Sequence, residues 1–319
     1  MTDIDIVFLD AGTISPTVTM PTPAFPHRWT QYARTEAHDR AARLREADCV
    51  LTNKVPIDAA LLAACPKLRY VGVVATGTNI VDIPACEARG VSVTNVKGYS
   101  TQGVAEHALM MMLSLVKQLK AYQQTISEGA WQQAKQFVYY QGRIDNLHGK
   151  TLGLVGTGEI ARATAQLCGA LGMKVLYHSP SGRKQVEGQD CVSLDTLLQQ
   201  SDVVSLHCPL TAETEGLMSA EALAKMKPGA LLINTARGPI VDSNAVVDAL
   251  QRGHLGGAGL DVLPQEPPAA EDVVMRANTL PNLLLTPHTA WASEISQQAL
   301  VQGVIANVNQ WYAQTHGNA

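Results

Sequence analysis

No two of the six cysteines, Cys49, Cys65, Cys86, Cys168, Cys191 and Cys208, form a C-x-x-C pair; they lie far apart along the chain. That spacing argues against a zinc site and against a disulfide framework, so no metal is expected and the expected compartment is a reducing cytoplasm. No apolar run approaches the roughly 20 residues of a membrane-spanning helix. The first ten residues, MTDIDIVFLD, carry acids where a secretion signal carries lysines, and read instead as a buried first strand. A net charge of −4 and a pI of about 6.1 leave no basic footprint for nucleic acid. Internal repeats, low-complexity linkers and charged tails are absent as well. What is present is the composition of a globular protein, 46% apolar with a mean hydropathy of +0.02. At 319 residues the chain is long enough to bury two cores.

Short β-rich runs alternate with helical stretches, the pattern of parallel α/β sheets. One series of candidate strands comprises Ile4–Leu9, Cys49–Thr52, Tyr70–Val74 and Val91–Thr94. A second comprises Leu152–Val155, Lys174–Tyr177, Val203–Leu206, Leu231–Asn234, Gly259–Val262 and Leu283–Leu285. Between the two series lie a long helical pattern, Gly103–Gln124, and a polar aromatic segment, Trp131–Leu147. The pattern predicts two doubly wound parallel-sheet domains. A final helix, Ser293–Tyr312, follows the last strand and is free to return to the first domain.

The segment Thr151–Arg162, TLGLVGTGEIAR, sets Gly156, Gly158 and Ala161 in a G-x-G-x-x-A turn between an apolar strand and a helix. Ile160, Thr164, Leu167 and Leu171 recur at helical spacing before Gly172 ends the pattern. Such a turn seats a pyrophosphate: the first glycine permits the tight turn, the second lets backbone approach the phosphates, and the small third residue lets helix and strand pack. A ligand-free strand–turn–helix corner has the same local grammar. The strand after the turn ordinarily ends in an acid that binds ribose hydroxyls. Here Ser179 stands at that end, with Arg183 and Lys184 close by. A serine beside two cations accepts a 2′-phosphate that an acid repels, which favours NADP(H) slightly over NAD(H). The alternative is that Arg183 and Lys184 form a solvated loop.

Three further segments follow strands of the second series, at the sheet edge where open α/β folds bind ligands. They are Asn234–Gly238, Leu260–Pro267 and Thr286–Ala290, and they offer Arg237, Asp261, Glu266 and His288. An arginine there can grip a carboxylate through paired hydrogen bonds. A histidine backed by a glutamate is suited to give and take a proton near neutrality. Taken singly, Arg237 could be a surface ion pair, Glu266 a solvated loop acid and His288 a capping residue. Together they are the parts that hydride transfer to a 2-oxo acid requires.

These residues resemble the D-isomer-specific 2-hydroxyacid dehydrogenases over nearly the whole chain. The likeness is carried by Ala75–Asp82, Val104–His107, the glycine turn, His207–Thr211, Met226–Gly229, Ile233–Gly238, Leu260–Val262 and Pro287–His288. Within the family the chain looks most like bacterial glycerate dehydrogenases, also called hydroxypyruvate reductases, on Ala75–Asp82, Gly98–Ser100 and Trp131 with Lys135–Phe137. The resemblance implies a Rossmann-type cofactor domain, residues 100–288, inserted into a flavodoxin-like substrate domain, residues 1–99 plus 289–319. It also implies a homodimer formed through the long helix.

The implied roles fall on definite positions. Arg237 binds the substrate carboxylate and carbonyl, His288 donates the proton, and Glu266 holds His288. The backbone of Ala75, Thr76 and Gly77 completes the carboxylate site. Gly156, Gly158, Glu159 and Ile160 line the pyrophosphate, and Ser179 with Arg183 sits at the adenosine ribose. His207, Cys208 and Pro209 border the adenine, while Thr235, Ala236 and Asp261 border the nicotinamide and Val104 presses on its ring. Asp261 has a structural role as its alternative. The expected substrates are small 2-oxo acids such as hydroxypyruvate or glyoxylate, giving D-glycerate or glycolate. Glu266 argues against a formate-type dehydrogenase, which pairs its histidine with glutamine. The alternatives are a dehydrogenase for another D-2-hydroxy acid and, from another class, a dinucleotide-sensing binding protein of the same fold.

Overall fold

Runs of aliphatic and β-branched residues buried on both faces form the central strands of two parallel sheets, as expected where helices cover each face. The computed structural model describes residues 3–316, so the outermost residues of the expected first domain, 1–2 and 317–319, lie outside the described residues. The chain divides into two compact units, Met1–Ser100 with Ala292–Ala319, and Thr101–Trp291. Residues 289–291 therefore go with the second unit, to which the N–H groups of Thr289 and Ala290 are tied by the Asp261 carboxylate.

In the first unit, β1 (Ile4–Phe8), β2 (His27–Gln31), β3 (Cys49–Thr52), β4 (Tyr70–Val73) and β5 (Ser92–Thr94) pair in the order β2-β1-β3-β4-β5, all parallel. This is the flavodoxin-like order, with its switch point between β1 and β3. The sequence pattern does not announce β2. Its residues HRWTQ lack apolar alternation because it is an edge strand, held by in-register pairing to β1 and by Arg28, whose Nε donates to Asp5 Oδ1. The last helix, Glu294–His316, belongs to this unit and runs about a turn beyond Tyr312. Tyr312 stacks on Phe25 at 3.8 Å, and the Trp311 ring lies 5.0 Å from Tyr70.

The second unit is inserted in the sequence of the first. It contains β6 (Thr151–Val155), β7 (Lys174–His178), β8 (Gln185–Val186), β9 (Gln189–Asp190), β10 (Val203–Leu206), β11 (Ala230–Asn234), β12 (Leu255–Leu260) and β13 (Leu283–Leu285). Six of these form a parallel Rossmann-type sheet in the order β13-β12-β11-β10-β6-β7, and β8 with β9 makes a separate hairpin. The order reverses between β6 and β10, which puts the switch point at the glycine turn.

Two expected elements are redrawn. The helix over Gly103–Gln124 is two helices, Thr101–Val116 and Leu119–Ser127, broken at Gln118, whose φ is 54°. The break is tertiary: Gln118 Nε2 donates to the carbonyl of Arg143, and Lys117 Nζ to that of Asp145. The strand expected over Gly259–Val262 instead covers Leu255–Leu260, so Asp261 and Val262 leave the sheet. Its glycines make room for the helix above. A Cβ at Gly259 would fall 2.9 Å from Met111 Sδ, and one at Gly257 would fall 2.9 Å from Leu115 Cδ2.

The helix after the glycine turn, Glu159–Ala170, buries Ala161, Ala163, Thr164 and Cys168, while Leu171 is exposed. Small residues on this face let the helix Thr101–Val116 approach closely, with Cys168 Sγ 3.9 Å from Met112 Sδ.

Candidate active site

Parallel strands deliver the residues that follow them to a single sheet edge. In-register pairing sets Val155 beside Leu206, Leu206 beside Asn234, Asn234 beside Leu260, and Leu260 beside Leu285. Reading from β7 to β13 along that edge meets Ser179, the glycine turn, His207–Pro209, Thr235–Arg237, Asp261–Glu266 and His288 in order. Three inter-strand steps of roughly 4.8 Å, about 14 Å in all, separate the Ser179 end from Thr235.

Gly156 has a φ of 121°, and a Cβ on it would lie 2.4 Å from the carbonyl oxygen of His207, so only glycine fits. Gly158 opens the helix Glu159–Ala170 without any side-chain cap, and a Cβ there would meet nothing within 4 Å. The helix start thus lacks a side-chain cap beside open space at Gly158, the arrangement that receives a phosphate. Ser179 is buried; its Oγ accepts the N–H of Arg183 at 3.0 Å and lies 3.2 Å from Ser181 Oγ. Arg183 and Lys184 are exposed, and neither makes an ion pair among the described residues.

A cavity of about 500 Å³ brings together Gly156, Gly158, Ser179, His207, Cys208 and Pro209. Thr157, Ser181, Thr211 and Thr214 also line it, though the sequence assigned them no role; Glu159, Ile160 and Arg183 do not. Burial pushes the His207 imidazole down to about 4, so it is neutral at pH 7, with Nε2 2.9 Å from Ser205 Oγ. Burial likewise lifts the Cys208 thiol to about 11, which keeps it protonated.

The turn after β11 is braced by Asn234. Its Nδ2 donates to the carbonyl of Arg237 at 2.9 Å and its Oδ1 accepts the N–H of Ala236 at 3.0 Å. Arg237 spends one Nη1 hydrogen on the carbonyl of Ala236 at 2.7 Å and has no acidic partner among the described residues. Next to it, a Cβ on Gly238 would strike the Leu263 carbonyl at 2.1 Å, so this glycine lets the loop that carries Glu266 pack against the arginine turn. The Thr235 hydroxyl is buried with no hydrogen-bond partner among the described residues. Such an orphan costs about 1–3 kcal/mol unless something else meets it. With the open space at Gly158 it fits a bound dinucleotide at both ends of the edge.

Asp261 is nearly inaccessible. Its Oδ1 accepts Thr286 Oγ1–H at 2.5 Å and the N–H of Thr289 at 2.9 Å, and its Oδ2 accepts the N–H of Ala290 at 3.0 Å. These bonds give the residue a structural duty at the position expected to border the nicotinamide. Glu266 Oε2 lies 2.6 Å from His288 Nδ1, and its Oε1 accepts the N–H of Leu263 at 2.9 Å. A cavity of about 480 Å³ is lined by Asp261, Glu266 and His288 together with apolar residues including Leu263, Met275 and Leu285; Arg237 does not line it.

Val104 is buried in the first turn of the helix Thr101–Val116. Ala75, Thr76 and Gly77 follow β4 in the first unit. Asn95 Nδ2 donates to the Thr76 carbonyl and Val96 N–H to that of Ala75, while the three N–H groups of the segment make no hydrogen bond among the described residues. Sequence reasoning assigned no role to Asn234, Gly238, His107 or Thr286. All four lie in segments that the sequence singled out, but no local signal marks the contacts they make.

Residues 109–290 match the model of a family described as D-isomer specific 2-hydroxyacid dehydrogenase, NAD binding domain. The chain is 41% identical over 310 residues to glycerate dehydrogenase of Methylorubrum extorquens, covering 97% of this chain and 96% of that one. Among solved structures it is similar to D-lactate dehydrogenase from Aquifex aeolicus in complex with NAD and lactic acid, with 28% identity and a TM-score of 0.82 over 97% and 96% of the two chains. It is also similar to an NADPH-dependent glyoxylate/hydroxypyruvate reductase from Sinorhizobium meliloti, with 28% identity and a TM-score of 0.82 over 97% and 95%.

Proposed function

We infer, from a chain that belongs to the D-isomer-specific 2-hydroxyacid dehydrogenase family, a nicotinamide-dependent oxidoreductase whose substrate is hydroxypyruvate or glyoxylate, reduced to D-glycerate or glycolate. The observation that carries this reading is the His288–Glu266 pair at 2.6 Å, two strand ends along from an arginine with no acidic partner among the described residues. The reduced nicotinamide, when bound, supplies hydride to the carbonyl carbon. Arg237 offers its unspent N–H groups to the substrate carboxylate and to the carbonyl oxygen, where negative charge develops. Protonated His288 gives its Nε2 proton to that oxygen and ends neutral, while Glu266 keeps hold of Nδ1–H. The N–H groups of Ala75, Thr76 and Gly77 are the proposed carboxylate donors of the first unit. Thr235, Ala236, Asp261 and Val104 are assigned to the nicotinamide end, and Glu159 and Ile160 give backbone N–H groups to the pyrophosphate.

NADP(H) is slightly favoured over NAD(H) as cofactor, on Ser179 in place of an acid and on the exposed Arg183 and Lys184, which make no ion pair among the described residues. The test follows nicotinamide absorbance with hydroxypyruvate, glyoxylate and pyruvate, each against NADPH and NADH. Fastest oxidation is expected with hydroxypyruvate and NADPH. Faster turnover with NADH overturns the role given to Ser179 and Arg183. No turnover with any pair, despite dinucleotide binding, sinks the substrate class and moves the weight to another oxo acid or to a dinucleotide-sensing role.

The helix Thr101–Val116 leaves Met110 and Leu113 exposed, and Phe137 and Tyr140 stand 92% and 74% exposed in the segment that follows. An apolar surface of this kind suits a homodimer. Sedimentation is expected to give about 68 kDa, twice the 34.1 kDa chain; a concentration-independent 34.1 kDa species overturns it. Six free cysteines suit the cytoplasm as the compartment.

A further inference from the structure

The loop that presents His288 ties three of its N–H groups to one residue, Asp261, whose carboxylate is itself held by a chain of hydrogen bonds leading away from the reacting groups. The N–H of His288 donates to the Asp261 carbonyl at 2.8 Å, and the next two N–H groups, of Thr289 and Ala290, donate to its two carboxylate oxygens. His288 has a φ of 55°, left-handed for a residue with a side chain, and this turn is what lets three successive N–H groups converge on one residue.

The fourth partner of Asp261 is Thr286, two residues before His288, whose Oγ1 lies 2.5 Å from Oδ1. On its other side the same Oγ1 lies 3.0 Å from His107 Nε2, on the helix Thr101–Val116. A hydroxyl has one proton and an ionised carboxylate can only accept. The Thr286 proton therefore goes to Asp261, and His107 must be the donor to Thr286 through Nε2–H. If His107 held its proton on Nδ1 instead, Nε2 would become an acceptor and compete with Asp261 for the hydroxyl. Burial holds the His107 ring below the ordinary histidine range, with Asp261 opposing, so the neutral Nε2–H tautomer is the one the site needs.

We propose that His107 is a positioning residue for the proton donor: through the Thr286 hydroxyl and the Asp261 carboxylate it fixes the Thr286–Ala290 loop, and with it the direction of His288 Nε2. The inference rests on the reading of His288 as that donor. It assigns no contact between His107 and substrate.

The test compares the full chain with Thr286→Val, Thr286→Ser, His107→Phe and His107→Gln. Thr286→Val and His107→Phe are expected to lower kcat roughly tenfold, the weight of one hydrogen bond. KM for the oxo acid, dinucleotide Kd and Tm are expected to change little. Thr286→Ser and His107→Gln, which keep a hydroxyl and a donor, are expected to recover most of the rate. In histidine-15N spectra, with His107 and His288 assigned by substitution, wild-type His107 is expected as the Nε2–H tautomer. The His288 ionisation midpoint is expected to move in the Val and Phe variants and return in the Ser and Gln variants.

Wild-type kcat in the Val and Phe variants, or a kcat loss that the Ser and Gln variants do not restore, overturns the proposal. An Nδ1–H tautomer at His107 overturns it as well. Should the wild type turn over no oxo acid, the functional reading fails by itself. The spectra still decide the positioning: an unmoved His288 midpoint rejects it, and a shift that reverses supports it.

Discussion

His288→Gln lowers kcat for oxo-acid reduction roughly 10²- to 10⁴-fold, the range that a positioned general acid contributes, and leaves dinucleotide binding in place. The Nδ1 edge of the ring is committed to Glu266 Oε2 at 2.6 Å, and an ionised carboxylate only accepts, so Nε2 is the nitrogen left to exchange a proton. The other oxygen of Glu266 accepts the N–H of Leu263, so the carboxylate cannot swing away without stranding a donor. His288 holds this place from left-handed backbone, a conformation that costs on the order of 1–3 kcal/mol and persists only where the surroundings over-determine it. Glutamine keeps the polarity and much of the bulk but cannot release a proton.

Glu266→Gln probes the same geometry from behind. The N–H of Leu263 claims the amide oxygen, which turns the amide NH₂ toward His288 and makes Nδ1 the acceptor. The ring then has its one proton on Nε2 and no carboxylate behind Nδ1. Its kcat is expected to fall between wild type and His288→Gln. Steady-state rates from nicotinamide absorbance read both variants. A His288→Gln enzyme less than tenfold slower than wild type overturns the assignment.

How much of this site a reader of the sequence could see depends on whether the physics is local. Gly156 and Gly158 were legible because a tight turn and an uncapped helix start are decided by a few neighbouring residues. Arg237, Glu266 and His288 were legible because each follows a strand of a parallel sheet, and such strands end on one edge. His107 and Thr286 were not, since 179 residues separate two side chains that meet at 3.0 Å. Asp261 was seen, with a structural role as its alternative, but its partners were not, because Thr289 and Ala290 offer backbone groups nearly thirty positions on.

The same division runs through the fold. Strands buried on both faces declared themselves, whereas β2, an exposed edge strand reading HRWTQ, has no apolar period to detect. The glycines of LGGAGL hid most of β12, since their purpose is to admit Met111 and Leu115 from a helix that sequence separation placed out of view. The break at Gln118 is invisible for a related reason: nothing in the local sequence interrupts the helix, and the contacts that do come from Arg143 and Asp145.

Arg237→Lys tests the remaining claim, that shape as well as charge is needed at the end of β11. A guanidinium can give two parallel hydrogen bonds to a carboxylate and still reach the carbonyl oxygen, while an ammonium is a point charge on a flexible stem. Hydrogen bonds to charged groups contribute about 1.5–3 kcal/mol each, so losing two predicts a fall in kcat/KM of roughly 10²- to 10⁴-fold. The substitution is a clean one because the arginine side chain gives the turn a single bond, Nη1–H to the Ala236 carbonyl at 2.7 Å, and the other braces do not involve it. Asn234 braces it through the Ala236 N–H and the Arg237 carbonyl, and the adjacent Gly238 packs on Leu263. Tm is therefore expected to stay near wild type.

The two kinetic constants should separate. Lysine keeps the ground-state attraction to the substrate carboxylate, so KM rises moderately. It meets the developing alkoxide poorly, so kcat carries the larger loss. Arg237→Gln removes the charge as well and should raise KM beyond the lysine variant. Equal kcat and KM in wild type and both variants would mean that Arg237 is an ordinary surface arginine, and that the oxo acid finds its counter-charge elsewhere.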